Sequence, residues 1–143
     1  MNLSAMQLYY NSKQIIIIGM MRKHCDVSCG RPIIIPFPCE AKSLGDTILN
    51  EVKREDFSDA DVCTSLFTVA TGIKSFKKFS AQYGLVDLDL TWPKRDKMIF
   101  TLTERGKHGE YIQKEGAMTH TFEINADSTQ IGECVLKMME SYI

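Results

Sequence analysis

The residues of this chain that could do chemistry fall into small, incomplete groups. His24, Cys25, Cys29 and Cys39 are the natural metal candidates. A structural zinc site takes four ligands in closely spaced pairs, and no Cys-x-x-Cys pair occurs here. The plainer reading is a loop His beside reduced thiols, because free Cys packs as a small hydrophobe. No metal and no cofactor is expected. Cys63 and Cys134 fall on predicted helices. A nucleophilic Cys needs a base at hand and a lowered pKa, and His108 and His120 are the candidates for that base. Cys134 lies near an apolar stripe, and His120 shares a strand face with Phe122 and Ile124. Packing is the plainer role for both.

Asp87 and Asp89 are two residues apart on a strand pattern, so they share one face. Paired carboxylates can serve acid–base or metal chemistry, but no third ligand or base accompanies them. They are better placed to meet a cationic partner, or simply to solvate that face. Gly106-Lys107-His108-Gly109 lacks the GxxxxGK[ST] spacing of a phosphate loop and follows a strand without opening a helix, so it reads as a hairpin loop. Lys74, Lys77 and Lys78 could touch phosphate. A formal net charge of −1 argues against general nucleic-acid binding. The acidic stretch holding Glu51, Glu55, Asp56, Asp59 and Asp61 is the strongest partner signal. Asp59 and Asp61 would complement a helix dipole, and the whole group could steer and dock a basic protein.

The elements that must position these residues follow from periodicity. Residues 14–21 read as a strand buried on both faces, because β-branched residues run without helical period. Residues 22–31 read as a polar turn region. Pro32, Pro36 and Pro38 bracket Ile33, Ile34 and Ile35 and mark an edge strand. Ser43 with Asp46 resembles a capping box for a first helix, whose inner face holds Leu44, Ile48, Leu49 and Val52. Ser58 with Asp61 signals a second helix with Val62, Leu66 and Val69 inward, stopped at Gly72. A third spans residues 75–83, with Phe76 and Phe79 inward and Gly84 as its left-handed cap. Val86, Leu88, Leu90 and Trp92 alternate with polar residues as one half-buried strand, and Met98, Phe100 and Leu102 as the next. Residues 92–96 form the turn between them. Tyr111 to Gln113 is a short strand, and residues 119–125 alternate again. Asp127 with Gln130 opens a last helix carrying Ile131, Val135, Met138, Met139 and Tyr142.

One motif occurs twice. Leu44-Gly45-Asp46-Thr47-Ile48-Leu49 and Ile131-Gly132-Glu133-Cys134-Val135-Leu136 share apolar-Gly-acid-x-β-branched-Leu. Each copy follows a strand-like run and opens a helix, with no reactive residue in place. It is a scaffold signature. The length of 143 residues suits one domain over residues 1–143. The class is α+β, with an antiparallel or mixed central sheet, helices packed on it, and a strand–helix unit repeated in the two halves. Five cysteines, an odd number at irregular spacing, point to reduced thiols and a cytoplasmic location. No secretory signal pattern is evident, and Ile15 to Ile18 is too short to span a bilayer.

Some of these residues resemble a known family. Thr71-Gly72-Ile73-Lys74-Ser75-Phe76-Lys77-Lys78-Phe79, followed by Leu85-Val86-Asp87-Leu88-Asp89-Leu90, is similar to the K-S-[aromatic]-x-x-[aromatic] helix and next strand of immunity proteins from contact-dependent growth inhibition systems. Residues 127–136 resemble that group's closing [LI]-G-x-x-[IV]-L helix, and residues 44–49 fit the same kind of protein. The stretch from Trp92 to Gly116 matches no pattern of the group. The resemblance implies a cytoplasmic, non-enzymatic inhibitor of the C-terminal toxin domain of a cognate effector, often a basic nuclease. Glu55, Asp56, Asp59 and Asp61, then Asp87 and Asp89, would be the toxin contacts, with Lys94, Arg95 and Lys97 as the alternative if the toxin presents carboxylates. Neither nucleic acid nor membrane is expected as a direct partner, and monomer or homodimer stays open. Two other readings remain open: a small cytosolic enzyme using His120 with Cys134 or Asp87 with Asp89, and an RNA-associated module using Lys74, Lys77 and Lys78.

Overall fold

The computed structural model describes residues 2–22, 26–56 and 66–140. In chain order the elements are β1 (Ala5–Tyr10), β2 (Gln14–Arg22), β3 (Asp26–Pro36), α1 (Ala41–Lys53), α2 (Leu66–Thr71), α3 (Phe76–Ser80), β4 (Gly84–Leu90), β5 (Lys97–Leu102), β6 (Glu104–Arg105), β7 (Tyr111–Ile112), β8 (Thr119–Glu123) and α4 (Ser128–Glu140). Six strands form one sheet in the order β3-β2-β1-β4-β5-β8, and β6 pairs with β7 in a separate hairpin. Every neighbouring pair is antiparallel. The α+β expectation therefore holds, with an antiparallel sheet.

Alternation along the strands assigns each residue to a face. Leu8, Ile15, Ile17, Val86, Leu88 and Phe100 point to one face, where Leu44 and Ile48 of α1 and Ile131, Val135 and Met138 of α4 close the main core. Tyr9, Ile16, Ile18 and Leu85 point to the other, where Leu66, Phe79 and Tyr83 cover part of it. Cover on both sides explains the unbroken run of isoleucines in β2. On the second face Phe79 stacks on Tyr83 with ring centroids 4.7 Å apart and meets Tyr9 edge-on at 4.9 Å. The Tyr111 hydroxyl donates to the Tyr83 carbonyl at 2.8 Å, which ties the β6–β7 hairpin to this cluster.

The repeated motif has a structural meaning. β3 and β8 are the two edges of the sheet, and each leads into one of the long helices. The helices α1 and α4 cross over the same face at the two motif glycines. A methyl on Gly45 would overlap the Ser128 carbonyl, and a methyl on Gly132 would overlap the Ala41 carbonyl. Ala41 stands four residues before Gly45, and Ser128 stands four residues before Gly132. Each helix thus offers a small-xxx-small face, the pattern that lets two helix backbones approach. Asp46 reinforces the crossing: it accepts from Lys42 at 2.8 Å and from the Ser128 hydroxyl, and these partners hold its carboxyl below the usual range.

Several local expectations change. β1 carries no strong pattern in sequence yet sits at the centre of the sheet. β3 begins inside the stretch read as a turn, because its pairing to β2 continues to Arg22 and Asp26 after an irregularity between Ile17 and Gly19. Helix α1 starts at Ala41 with Glu40 at its cap and no side-chain cap bond, so Ser43 is not a capping box. Ser75 caps α3, a role that sequence reading missed, by accepting from the Lys78 amide at 3.3 Å. α3 ends at Ser80. Gly84 is not its left-handed cap; it opens β4 opposite Tyr10, whose ring would lie 2.5 Å from a Gly84 methyl. Gly72 does adopt a positive φ of 77° just past α2. Val69 points outward and is 67% exposed. The Asp127 carboxylate accepts from the Gln130 amide at 3.1 Å, as its capping pattern predicts.

Candidate interaction surface

Asp87 and Asp89 lie on the second face of the sheet, beyond the part that Phe79 and Tyr83 cover. The register builds two rows there. One runs Ile18, Gln7, Asp87, Thr101, Thr119, and the next Met20, Ala5, Asp89, Ile99, Thr121. Both carboxylates are partly buried in strand β4, in the middle of the sheet. Burial raises the Asp87 carboxyl, and the charge of Asp89 pushes the same way. The Gln113 amide donates to Asp87 at 2.8 Å and opposes that rise. Burial likewise raises the Tyr9 hydroxyl, with Asp87 adding to it.

Glu55 and Asp56 sit on the exposed segment that follows α1. Asp56 is not a bare charge, because Arg54 donates to it at 2.9 Å and to Glu51 at 3.1 Å. Asp59 and Asp61 lie outside the described residues, as do His24, Cys25 and Cys63. The link between the two acidic groups is the β4–β5 turn, residues 91–96. Asp89 is followed at once by the end of β4 and this turn, while Glu55 acts electrostatically on Arg95 within it.

The turn is rigidly built. Arg95 adopts a left-handed φ of 54° and turns its guanidinium inward. It donates to the Leu3 carbonyl at 2.8 and 3.1 Å and to the Val52 carbonyl at 3.2 Å. Burial lowers its pKa and Glu55 opposes that. Arg95 therefore ties the chain start, the end of α1 and the turn together. Of the basic group only Lys94 and Lys97 face outward. The Thr91 hydroxyl donates to Asp96 at 3.0 Å across the same turn. Trp92, which alternation placed with the inward residues of β4, is instead 67% exposed at the start of the turn, before a cis bond to Pro93. An exposed Trp at the start of this turn is the residue that sequence reading missed. The signal was available in Pro93, which ends a strand and makes alternation past Leu90 unreliable.

The enzyme groupings fare differently. His120 pairs with Phe100 and so faces the α1/α4 side, opposite to Asp87 and Asp89. It does share a cavity of about 520 Å³ with Met118, Cys134, Lys137 and Met138. Burial raises the Cys134 thiol, with Lys137 opposing, whereas an activated thiol needs the reverse. Burial also raises Cys39. Among the described residues no cluster of three or more His, Cys, Asp or Glu could hold a metal ion, and no helix is long and apolar enough to cross a membrane.

No family model and no curated protein matches this chain. Solved structures do. A protein of unknown function from Neisseria meningitidis superposes with a TM-score of 0.70 at 15% identity, covering 99% of this chain and 97% of the other. A chain of the CdiA-CT/CdiI toxin and immunity complex from Yersinia pseudotuberculosis superposes with a TM-score of 0.68 at 13% identity, with the same coverage of 99% and 97%. At these identities the likeness is one of fold.

Proposed function

We propose that this protein is an immunity protein: a non-enzymatic inhibitor that binds the toxin domain of a cognate contact-dependent growth inhibition effector. The observation that carries the reading is the superposition, over nearly its full length, on a chain of a toxin and immunity complex. The sequence resemblance at residues 71–90 and 127–136 selects the immunity component of such a pair. The toxin we envisage is a basic nuclease, met by acids that stand where substrate phosphates would. Trp92 would supply the apolar anchor, since exposed aromatics ringed by polar residues dominate protein interfaces. Glu55, Asp56 and Asp89 would flank it, with Asp59, Asp61 and Asp87 extending the negative field that speeds encounter.

The test is co-expression of this protein with the toxin domain encoded beside it. Growth should be rescued, and the purified pair should form a complex that an unrelated toxin domain does not form. Neither rescue nor binding would remove the proposal. The same assay run with Trp92→Ala should show weaker binding with the circular dichroism spectrum of the folded protein kept.

A further inference from the structure

We propose that the recess between α3 and the β6–β7 hairpin is a binding site for a phosphate-type oxyanion. This goes beyond the immunity reading and does not depend on it. The recess has a volume of about 270 Å³ and is lined by Lys77, Ser80, Arg105, Lys107 and the glycines Gly106 and Gly109. At roughly 30 Å³ per water, it admits one tetrahedral anion and part of its hydration shell. Lys77 comes from α3, and Arg105 and Lys107 come from the β6–β7 hairpin, so no single linear motif brings the three together.

The site is built, not a chance meeting of flexible side chains. Arg105 donates to the Ser80 carbonyl, which fixes its guanidinium at the wall of the recess. The Ser80 side chain is fully buried and donates to the Lys77 carbonyl at 3.2 Å, and the Ala81 amide shares that acceptor. The Lys77 and Ser80 carbonyls, which would repel an anion, are therefore already met by donors. Gly109 closes the loop with a φ of 85°, and a methyl there would stand 2.7 Å from the Ser80 hydroxyl. A left-handed glycine is what lets the loop seat against α3. Of the neighbouring carboxylates, Glu104 pairs with Lys114 at 2.7 Å, and Glu110, which stands beside Gly106, accepts the His108 amide at 3.0 Å. Among the described residues no carboxylate forms an ion pair with Lys77 or Lys107. A guanidinium held in place beside two ammonium groups matches the charge of a phosphate.

Arg105 also lines a second cavity of about 560 Å³ with Tyr10, Leu85, Leu102, Thr103 and Tyr111. The phosphate could thus be free or belong to a nucleotide whose remainder enters that cavity. The experiment is an amide NMR titration of the whole protein at constant ionic strength with inorganic phosphate, AMP and adenosine, and with chloride as control. Saturable shifts at Ser80, Gly106, Lys107 and Gly109 with phosphate or AMP are expected. The double variant Lys77→Gln, Lys107→Gln should weaken that binding about tenfold. Equal affinity for phosphate and AMP would identify a free-anion site. Tighter AMP binding with added shifts at Leu102 and Tyr111 would identify a nucleotide. The proposal is overturned by shifts no larger than chloride gives, by adenosine binding as well as AMP, or by unchanged affinity in the double variant.

Discussion

Replacing the motif glycines by alanine should destabilise the protein through one shared mechanism. A methyl on Gly45 would lie 2.6 Å from the Ser128 carbonyl carbon, and one on Gly132 would lie 2.5 Å from that of Ala41. Carbon atoms pack best at about 3.5–4.0 Å, and both obstacles are backbone, so α1 and α4 must part by about 1 Å. Such overpacking costs about 1–3 kcal/mol. A gap of that size also forfeits roughly a quarter to a half of each dispersion contact across it, here among the fully buried Leu44, Ile48, Ile131, Val135 and Met138. Alanine returns about 1 kcal/mol of helix propensity. With the lost dispersion included, the net loss for either single variant is about 2–3 kcal/mol, a fall in Tm of roughly 7–10 °C for a domain of this size. Urea unfolding followed by circular dichroism measures it. One separation of the helices relieves both clashes, so the double variant should lose at least about 1 kcal/mol less than the sum of the singles. A single variant within about 0.5 kcal/mol of the parent, or strict additivity in the double, would refute the shared crossing.

Other expectations follow from the surface. Asp87→Asn should stabilise the fold at neutral pH. Its carboxyl is raised in the folded state, so the ionised parent loses stability as pH climbs from the ordinary carboxylate range through that raised value, and the loss persists above it. The advantage of the variant should therefore vanish below about pH 4, and thermal melts across pH would show whether it does. If Asp87 also meets the toxin, the same variant binds more weakly while melting higher, which separates a functional charge from a structural one. Charge reversal at Glu55 and Asp56 should slow toxin association and flatten its salt dependence with the fold intact, read by stopped flow; an unchanged rate removes the acidic-steering idea. Arg95→Ala should lose about 2 kcal/mol, because it strips the donors from the Leu3 and Val52 carbonyls. A chemical melt equal to the parent would show that the turn does not depend on Arg95.

Much of the scaffold was legible in the residues themselves. The isoleucine run of β2, the alternation in β4 and β5, the cap at Asp127 and the repeated glycine motif are local signals, because propensity, periodicity and capping act within a few residues. They sufficed for α+β and for helices that follow each edge strand. Only tertiary structure decided what the glycines are for, since a small residue means close approach only once the opposing backbone is known. It also decided that Gly84 yields to the Tyr10 ring, that Trp92 leaves the sheet, and that Arg95 serves the Leu3 and Val52 carbonyls. Each depends on a partner 40 or more residues away in the chain, except Trp92, whose exposure follows from the turn itself. The surface sites were the least legible: Lys77 lines one recess with Arg105 and Lys107, and Asp87 meets Gln113, across separations that no window on the sequence spans. Charge type is written in the chain, but which charges share a face is fixed by strand register and helix docking.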